Sequence, residues 1–365
     1  MSFIVSRGET RHTENSRRAV DKRRNQTHSS RCVRRAFLCG DDPFTGRNCD
    51  HRKRWIQDRL EELAGIFAFD VLGFAILSNH FHLVLRNRPD VAGSWSDEEV
   101  ARRWYRLHPK RRDDDGTAAE PEPSELAAML ADPEWIAARR RRLASLSWFM
   151  RSLCEPIARR ANAEDQATGK FFESRYKSQA LTDETAVLAC SVYVDLNPIR
   201  ACLADTPENS QFTAAFERIA AMRQTVAAPP VDPAMAAAAS GTRDAWLSPV
   251  ADGDVRLDPR TTCATHSAHR ASNRGFLPMT LDEYLELLDW TGRQIRIGKR
   301  GSIPDHLAPI LARLNVNSER WMTTIEQFGR MFRRAIGRVS SLAALAASRG
   351  RHWYQGVGTS RLVFG

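Results

Sequence analysis

The residues best suited to chemistry are His80 and His82, which flank Phe81 in the run HFHLVL. This run is typical of a β-strand, in which alternate residues point the same way and lie about 6.6 Å apart. Both imidazoles can therefore meet one metal ion, while Phe81 projects to the other face and anchors the strand. Neutral imidazoles suit Mn²⁺ or Zn²⁺, and also Mg²⁺ when oxygen ligands complete its coordination. Without further ligands, such a pair is more often two surface histidines.

A second pair, Tyr193 and Asn197, lies four residues apart on a predicted helix. Residues at this spacing share a helix face. Tyr193 offers a hydroxyl nucleophile, and Asn197 offers a carbonyl oxygen as a third metal ligand. The alternative is that Tyr193 is a half-buried core residue and Asn197 only ends the helix before Pro198.

The elements that must position these residues follow from hydrophobic periodicity and turn residues. Their order of β, α, β, β, α, β, α predicts an α+β protein with a ferredoxin-like antiparallel sheet and helices on one face. The strands are predicted at 27–38, 67–77, 80–85 and 171–181. The helices are predicted at 51–67, 143–161 and from Thr182 or Asp183 to Asn197.

Composition divides the rest of the chain. Acidic stretches, prolines and the basic run at 139–142 indicate an insertion at about 89–142. The segment 226–275 is rich in Ala, Pro, Ser and Asp and is predicted to be a linker. Helical periodicity returns afterwards, which predicts an all-helical C-terminal domain at 276–365. We thus expect a basic arm at 1–25 and a catalytic domain at 26–225 before them.

The charge favours a polyanionic partner. The chain of 365 residues has a formal net charge of +10 and a pI near 9.6. Neutralising phosphates releases counterions, so such a charge suits nucleic acid, although basic proteins without that function also exist. No apolar run approaches the roughly 20 residues that span a bilayer. Nothing resembles a secretion signal, so we expect a cytoplasmic, nucleoid-associated protein without a membrane partner.

The seven cysteines are scattered and contain no C-x-x-C pair, so neither a disulfide framework nor a thiolate zinc site is expected. Cys263, His266 and His269 have metal-like spacing, but they lie in the predicted linker without a fourth ligand nearby. Reduced thiols are the default expectation.

Three separated motifs, in this order, resemble the single-tyrosine HUH transposases, and specifically their REP-associated tyrosine transposase branch. The motifs are SNHFHLVL at 78–85, FESRYKSQ at 172–179 and YVDLNPIRA at 193–201, and the resemblance covers roughly residues 27–206. It implies a histidine strand in the centre of the sheet with the tyrosine helix packed beside it. It also implies metal-dependent nicking and joining of single-stranded DNA at repeat-associated hairpins.

Carried over to this chain, the resemblance implies that His80 and His82 bind Mg²⁺ or Mn²⁺ and that Tyr193 forms a 5′-phosphotyrosine. It places Asn197 as the third ligand, where many relatives have Gln. Members of the family occur as monomers and as dimers, so a homodimer stays open.

The DNA-binding candidates are basic residues beside these motifs, and each can equally be an ordinary solvated charge. They are Arg31, Arg34, Arg35, Arg175, Lys177 and Arg200. Phe171, Phe172 and Tyr176 can stack on bases or pack in the core. Tyr176 is also the alternative nucleophile, although no carboxamide follows four residues later. The competing hypothesis for function is a noncatalytic nucleic-acid-binding regulator that keeps the fold and uses only its basic surfaces.

Overall fold

The protein is described by a computed structural model at residues 24–31, 39–40, 46–114, 116–172, 176–227, 242–251, 269–297, 325, 335–352, 354 and 357–364. Within these ranges it combines helices with a five-stranded sheet, so the α+β class is confirmed. None of the helices in the described ranges has the length and apolar composition that crossing a bilayer requires.

The sheet has the strand order β2-β3-β1-β4-β5. Its strands are β1 (Arg24–Arg31), β2 (Phe69–Ile76), β3 (His80–Asn87), β4 (Lys177–Leu181) and β5 (Ala335–Ile336). Neighbours among β1 to β4 are antiparallel, whereas β5 runs parallel to β4. The histidine strand β3 therefore lies between β2 and β1.

The helices fall into three groups along the chain. Between β1 and β4 lie α1 (His51–Ile66), α2 (Pro89–Ser94), α3 (Asp97–Leu107), α4 (Pro123–Leu130), α5 (Pro133–Leu143) and α6 (Leu146–Glu164). Between β4 and β5 lie α7 (Glu184–Asp195), α8 (Asn197–Arg200), a 3-10 turn (Pro207–Asn209), α9 (Ala214–Ala227) and α10 (Leu281–Ile297). After β5 come α11 (Val339–Ser348) and α12 (Val357–Phe364).

Helices cover both faces of the sheet, so the prediction of helices on one face was wrong. One face of β3 presents Phe81, Leu83 and Leu85 to a core that includes residues of α1 and α6. The other face presents Val84 to a core that includes residues of α7 and α10. The physical reason is that β2 carries apolar side chains on both faces, and both β2 and β3 are buried on both faces, which requires a layer on each side.

The predicted elements around the site have counterparts with shifted ends. The strand expected at 27–38 begins earlier, at Arg24, and its predicted part at 32–38 lies outside the described residues, whereas the strand expected from residue 171 begins at Lys177. The insertion at 89–142 forms four helices, α2 to α5.

The segments expected to be a linker and a separate helical domain share the core of the sheet. Trp246, in the predicted linker, is buried against Phe74 with ring centroids 5.1 Å apart. Tyr284, on α10, belongs to the core on the α7 face. The all-helical prediction after residue 276 was wrong at β5, which is a strand. The domain boundaries themselves stay a prediction.

Strand β5 holds the start of α7. The backbone N–H of Thr182 donates to the Ile336 carbonyl at 3.0 Å. The Asp183 carboxylate caps α7 by accepting from the N–H of Ala186 at 3.0 Å, and it also accepts from the N–H of Arg338 at 2.7 Å. Gly337 lies between these bonds with φ +148°, and a Cβ there would lie 1.8 Å from the Thr182 hydroxyl. Only glycine fits this position.

Candidate active site

The structure brings His80, His82 and Tyr193 together on the sheet face that α7 covers. The ring centroids of His80 and His82 are 4.8 Å apart, with the ring planes at 83°. The ring centroids of His82 and Tyr193 are 5.9 Å apart. A strand residue and a helix residue more than one hundred positions apart in sequence thus lie side by side.

Tyr193 is placed by a helix that is buried almost all round. Residues 185–192, Val194 and Asp195 of α7 are buried, whereas Tyr193 is only half-buried and packs at the margin of the core. Apolar contacts therefore fix the helix, while part of the tyrosine side chain stays accessible.

His82 is 5% exposed, and its Nε2 is a buried atom without a hydrogen-bond partner in the described part of the chain. Burial lowers the pKa of His82 well below its ordinary value, and the neighbouring His80 and Arg200 lower it further. The ring is therefore neutral near pH 7. A neutral imidazole with an unsatisfied buried nitrogen suits a metal ligand, because a buried polar atom without a partner is otherwise costly.

His80 is oriented by its sequence neighbour. Its Nδ1 lies 2.6 Å from the Asn79 carboxamide oxygen. That oxygen only accepts hydrogen bonds, so Nδ1 carries the hydrogen and Nε2 keeps the lone pair that a metal needs. The motif SNHFHLVL contains Asn79, but the sequence alone does not indicate that its carboxamide orients the neighbouring histidine.

Asn197 follows a break in the helix that was predicted to reach it. Helix α7 ends at Asp195, and α8 begins at Asn197 with Pro198 in its first turn, where a missing N–H costs nothing. The Asn197 amide nitrogen donates to the Tyr193 carbonyl at 3.2 Å, which leaves its carboxamide oxygen for another partner. The described residues contain no group of three or more His, Cys, Asp or Glu suited to a metal. The assignment of a third ligand to Asn197 stays a prediction.

Arg200 contacts the proposed nucleophile directly. Its guanidinium carbon lies 4.7 Å from the centroid of the Tyr193 ring, and its Nη1 donates to the Ile325 carbonyl at 3.1 Å. Sequence reasoning selected Arg200 for DNA binding but gave no sign that it stacks on Tyr193. This geometry puts a positive charge beside the phenol.

The other DNA-binding candidates are only partly described. Arg34, Arg35 and Arg175 lie outside the described residues, as do the side chains of Arg31 and Lys177. The strand register pairs Arg31 with His80, and it pairs Ser29 with both His82 and Lys177. In the backbone register, Arg31 is thus directly opposite His80, and Lys177 is in line with His82 across β1.

The aromatic residues before α7 lie away from the histidines. The Tyr176 hydroxyl lies 3.0 Å from the Ser147 hydroxyl of α6, and its ring packs on the core of the Phe81 face. Phe171 is buried, and Phe172 packs edge-on against Phe81 at 6.2 Å. These contacts favour core packing. Of the three linker residues with metal-like spacing, Cys263 and His266 lie outside the described residues.

Asp195, which sequence reasoning did not single out, ties α7 to two later helices. One carboxylate oxygen accepts a 2.6 Å hydrogen bond from the Tyr284 hydroxyl of α10, and the other accepts from the N–H of Ala215 of α9. Burial raises the pKa of Asp195, while Arg218 and these hydrogen bonds oppose the rise. The available signal was an acidic residue at the C-terminal end of a helix that is apolar after its first turn.

The fold and this site define an α+β protein with two histidines and a tyrosine clustered on one sheet face. No family model matches the chain, and no curated protein matches it. Among solved structures, the chain is similar to a REP-associated tyrosine transposase bound to a REP hairpin. That similarity has a TM-score of 0.33 and 10% identity, and it covers 57% of this chain and 86% of the other. The likeness is distant.

Proposed function

We propose that this protein nicks and rejoins single-stranded DNA by metal-dependent transesterification, with Tyr193 as the nucleophile, at repeat-associated hairpins. The observation that carries the proposal is the contact between Tyr193 and His82, at 5.9 Å between ring centroids, with His80 beside them. A hydroxyl nucleophile next to two imidazoles that can bind one metal ion is the arrangement that metal-assisted attack on a phosphodiester requires.

The topology supports the transposase-type fold in this proposal. Leaving out the inserted helices α2 to α5, the elements β1 to β4 with α1 and α6 have the order β-α-β-β-α-β of a ferredoxin-like sheet. Helix α7 then adds the tyrosine on the opposite face of this sheet.

His80 and His82 would hold Mg²⁺ or Mn²⁺ through their Nε2 atoms, with the Asn197 carboxamide oxygen as a third ligand. The buried and unpartnered Nε2 of His82 fits this role. When bound, the ion would polarise the scissile phosphate and offset its negative charge.

Tyr193 then attacks phosphorus. Its hydroxyl gives up a proton to solvent as the new O–P bond forms, the departing 3′ oxygen takes up a proton from solvent, and the Arg200 guanidinium over the ring offsets negative charge at the reacting centre. The bond to the 3′ oxygen breaks, which gives a 5′-phosphotyrosine and a free 3′-hydroxyl. Attack by another 3′-hydroxyl reverses the step and releases Tyr193. Each step exchanges one phosphodiester for another, so no nucleoside triphosphate is consumed.

The test is covalent capture. The full chain is incubated with Mn²⁺ and an end-labelled DNA hairpin with single-stranded flanks, and adducts are resolved on a denaturing gel. We expect an adduct that Tyr193→Phe abolishes and that Tyr176→Phe, on the opposite sheet face, retains. An undiminished adduct from Tyr193→Phe, or no adduct from folded protein, would overturn the proposal. DNA binding without any adduct would instead favour the noncatalytic regulator.

A further inference from the structure

A cleft lies between the inserted helix α3 and helix α6, on the side of the sheet away from Tyr193. It has a volume of about 440 Å³, within the roughly 300–1,000 Å³ typical of small-ligand sites. We call it the α3–α6 cleft. Its main lining side chains are Trp104, His108, Arg112, Trp148, Arg151 and Arg159.

Aromatic rings form one wall of the cleft. The Trp104 and Trp148 rings meet at 5.6 Å in an edge-on arrangement, and His108 lies 5.0 Å from Trp104. Both tryptophans are only half-buried. Indole faces at a surface cleft are suitable platforms for planar ligands such as nucleobases.

Guanidinium groups alternate with these rings. Arg142 lies 4.4 Å from Trp148 and 5.6 Å from Trp104, and Arg139 lies 5.4 Å from Trp104 and 4.2 Å from Trp135. Stacking occupies the planar face of a guanidinium and leaves its N–H edge for an anion. The N–H donors at the edge of each group are the part that recognises phosphate.

The positive charge of this region exceeds its local compensation. Arg151 and Arg159 share the single carboxylate of Glu155. No carboxylate of the described chain forms an ion pair with Arg112, Arg139 or Arg142, and Arg139 Nε is buried without a hydrogen-bond partner there. Packing of the insertion alone does not require three arginines without an ion pair among the described residues, whereas a phosphate backbone would neutralise them.

We propose that the α3–α6 cleft is a second nucleic-acid site, which binds single-stranded DNA with a base against Trp104 and Trp148, one phosphate at the lining Arg112, and another at Arg142, which stacks on both tryptophans beside the cleft. Base stacking combined with guanidinium contacts to the backbone is how sequence-tolerant single-strand binding works. The choice of DNA over RNA rests on the proposed function, but the site does not involve Tyr193. It would hold a part of the strand distant from the scissile phosphate.

The test is fluorescence anisotropy of a labelled oligothymidylate with the full chain in the absence of metal. Arg112→Glu changes an exposed cleft arginine, and Arg223→Glu makes the same change on an exposed part of α9. We expect Arg112→Glu to weaken binding about tenfold and to reduce the salt slope by about 1, while Arg223→Glu binds like the wild type. Equal affinities and slopes for the wild type and both variants would overturn the proposal, as would absence of binding by the wild type.

A second variant tests stacking. Trp148→Ala should lose about tenfold in affinity and Trp148→Phe should keep most of it, with thermal unfolding used to confirm that each is folded. Unchanged affinity in folded Trp148→Ala would contradict base stacking.

Tighter binding of oligouridylate, or equal binding of polyglutamate, would overturn the assignment to DNA. Covalent capture on a short oligonucleotide separates the two proposals, because cleft variants should keep the adduct and Tyr193→Phe should keep the affinity.

Discussion

The hydroxyl of Tyr284 donates a 2.6 Å hydrogen bond to the buried carboxylate of Asp195, two residues after Tyr193. These residues lie 89 positions apart in sequence. Helix α10, which carries Tyr284, therefore supports α7, the helix that carries Tyr193. A buried carboxylate that loses such a donor lowers the free energy of unfolding, so the contribution of this hydrogen bond can be measured.

We therefore predict that Tyr284→Phe lowers the free energy of unfolding by about 1–3 kcal/mol, because it leaves one Asp195 oxygen without its donor. Denaturant unfolding measures this effect. Tyr354→Phe removes a hydroxyl that pairs with Arg349 in a separate cluster, and it should cost less because that partner remains partly exposed to water. Equal losses in the two variants would contradict a special role for Asp195.

Gly337→Ala should detach β5 from β4. The new Cβ would lie 1.8 Å from the Thr182 hydroxyl oxygen and 2.5 Å from an Asp183 carboxylate oxygen. We expect a lower unfolding temperature and faster proteolysis of the chain around β5, which would no longer be held by β4. Gly350→Ala is the matched control, since Gly350 also has a positive φ, of +61°, but nothing lies within 4 Å of its Cβ position. Gly337→Ala should cost at least about 1 kcal/mol more than this control.

His82→Ala should abolish metal binding at the site. Because a ligand that binds only the folded state stabilises it, Mn²⁺ should raise the unfolding temperature of the wild type but not of His82→Ala. His352→Ala, which changes an exposed histidine, should respond to Mn²⁺ like the wild type. Removing metal with a chelator should also abolish the covalent adduct. A normal Mn²⁺ response in His82→Ala would exclude this residue as a ligand.

Arg200→Lys should slow formation of the Tyr193 adduct by about tenfold, because an ammonium group cannot stack flat on the phenol as the guanidinium does. Single-turnover measurements give this rate. Arg223→Lys, on an exposed part of α9, provides the same chemical change away from the site and should leave the rate unchanged. If both variants form the adduct at the wild-type rate, the stacked guanidinium has no part in the reaction.

Local patterns predicted the elements that carry the site. The alternation around Phe81 predicted the histidine strand, and Thr182 or Asp183 was predicted to start the tyrosine helix. The Asp183 carboxylate is the group that caps α7. The pairing of Arg200 with Tyr193 and of Tyr284 with Asp195 could not be predicted, because no local pattern reports which distant helices meet. The two-residue strand β5 is likewise too short to leave a periodic signal.

The insertion shows how a local signal can be misinterpreted. The acidic run at 97–99 contributes to the prediction of an insertion, and in the structure it is the first turn of α3, which the Ser96 hydroxyl caps by accepting from the N–H of Glu99. The basic run at 139–142 extends into the last turn of α5. Acidic residues at the start of a helix and basic residues at its end both interact favourably with the helix dipole. The same two charged runs therefore predict the start of one helix and the end of another when the flanking residues are included.

The bonds between β5 and the start of α7 also affect the timing of folding during synthesis. Helix α7 leaves the ribosome long before Ile336 and Arg338, so the growing chain carries a tyrosine helix whose Asp183 cap still lacks the Arg338 N–H. A message cut short before this point would yield a protein that retains both histidines and the tyrosine but not this support. Completion of the helix start is thus delayed until translation has passed β5.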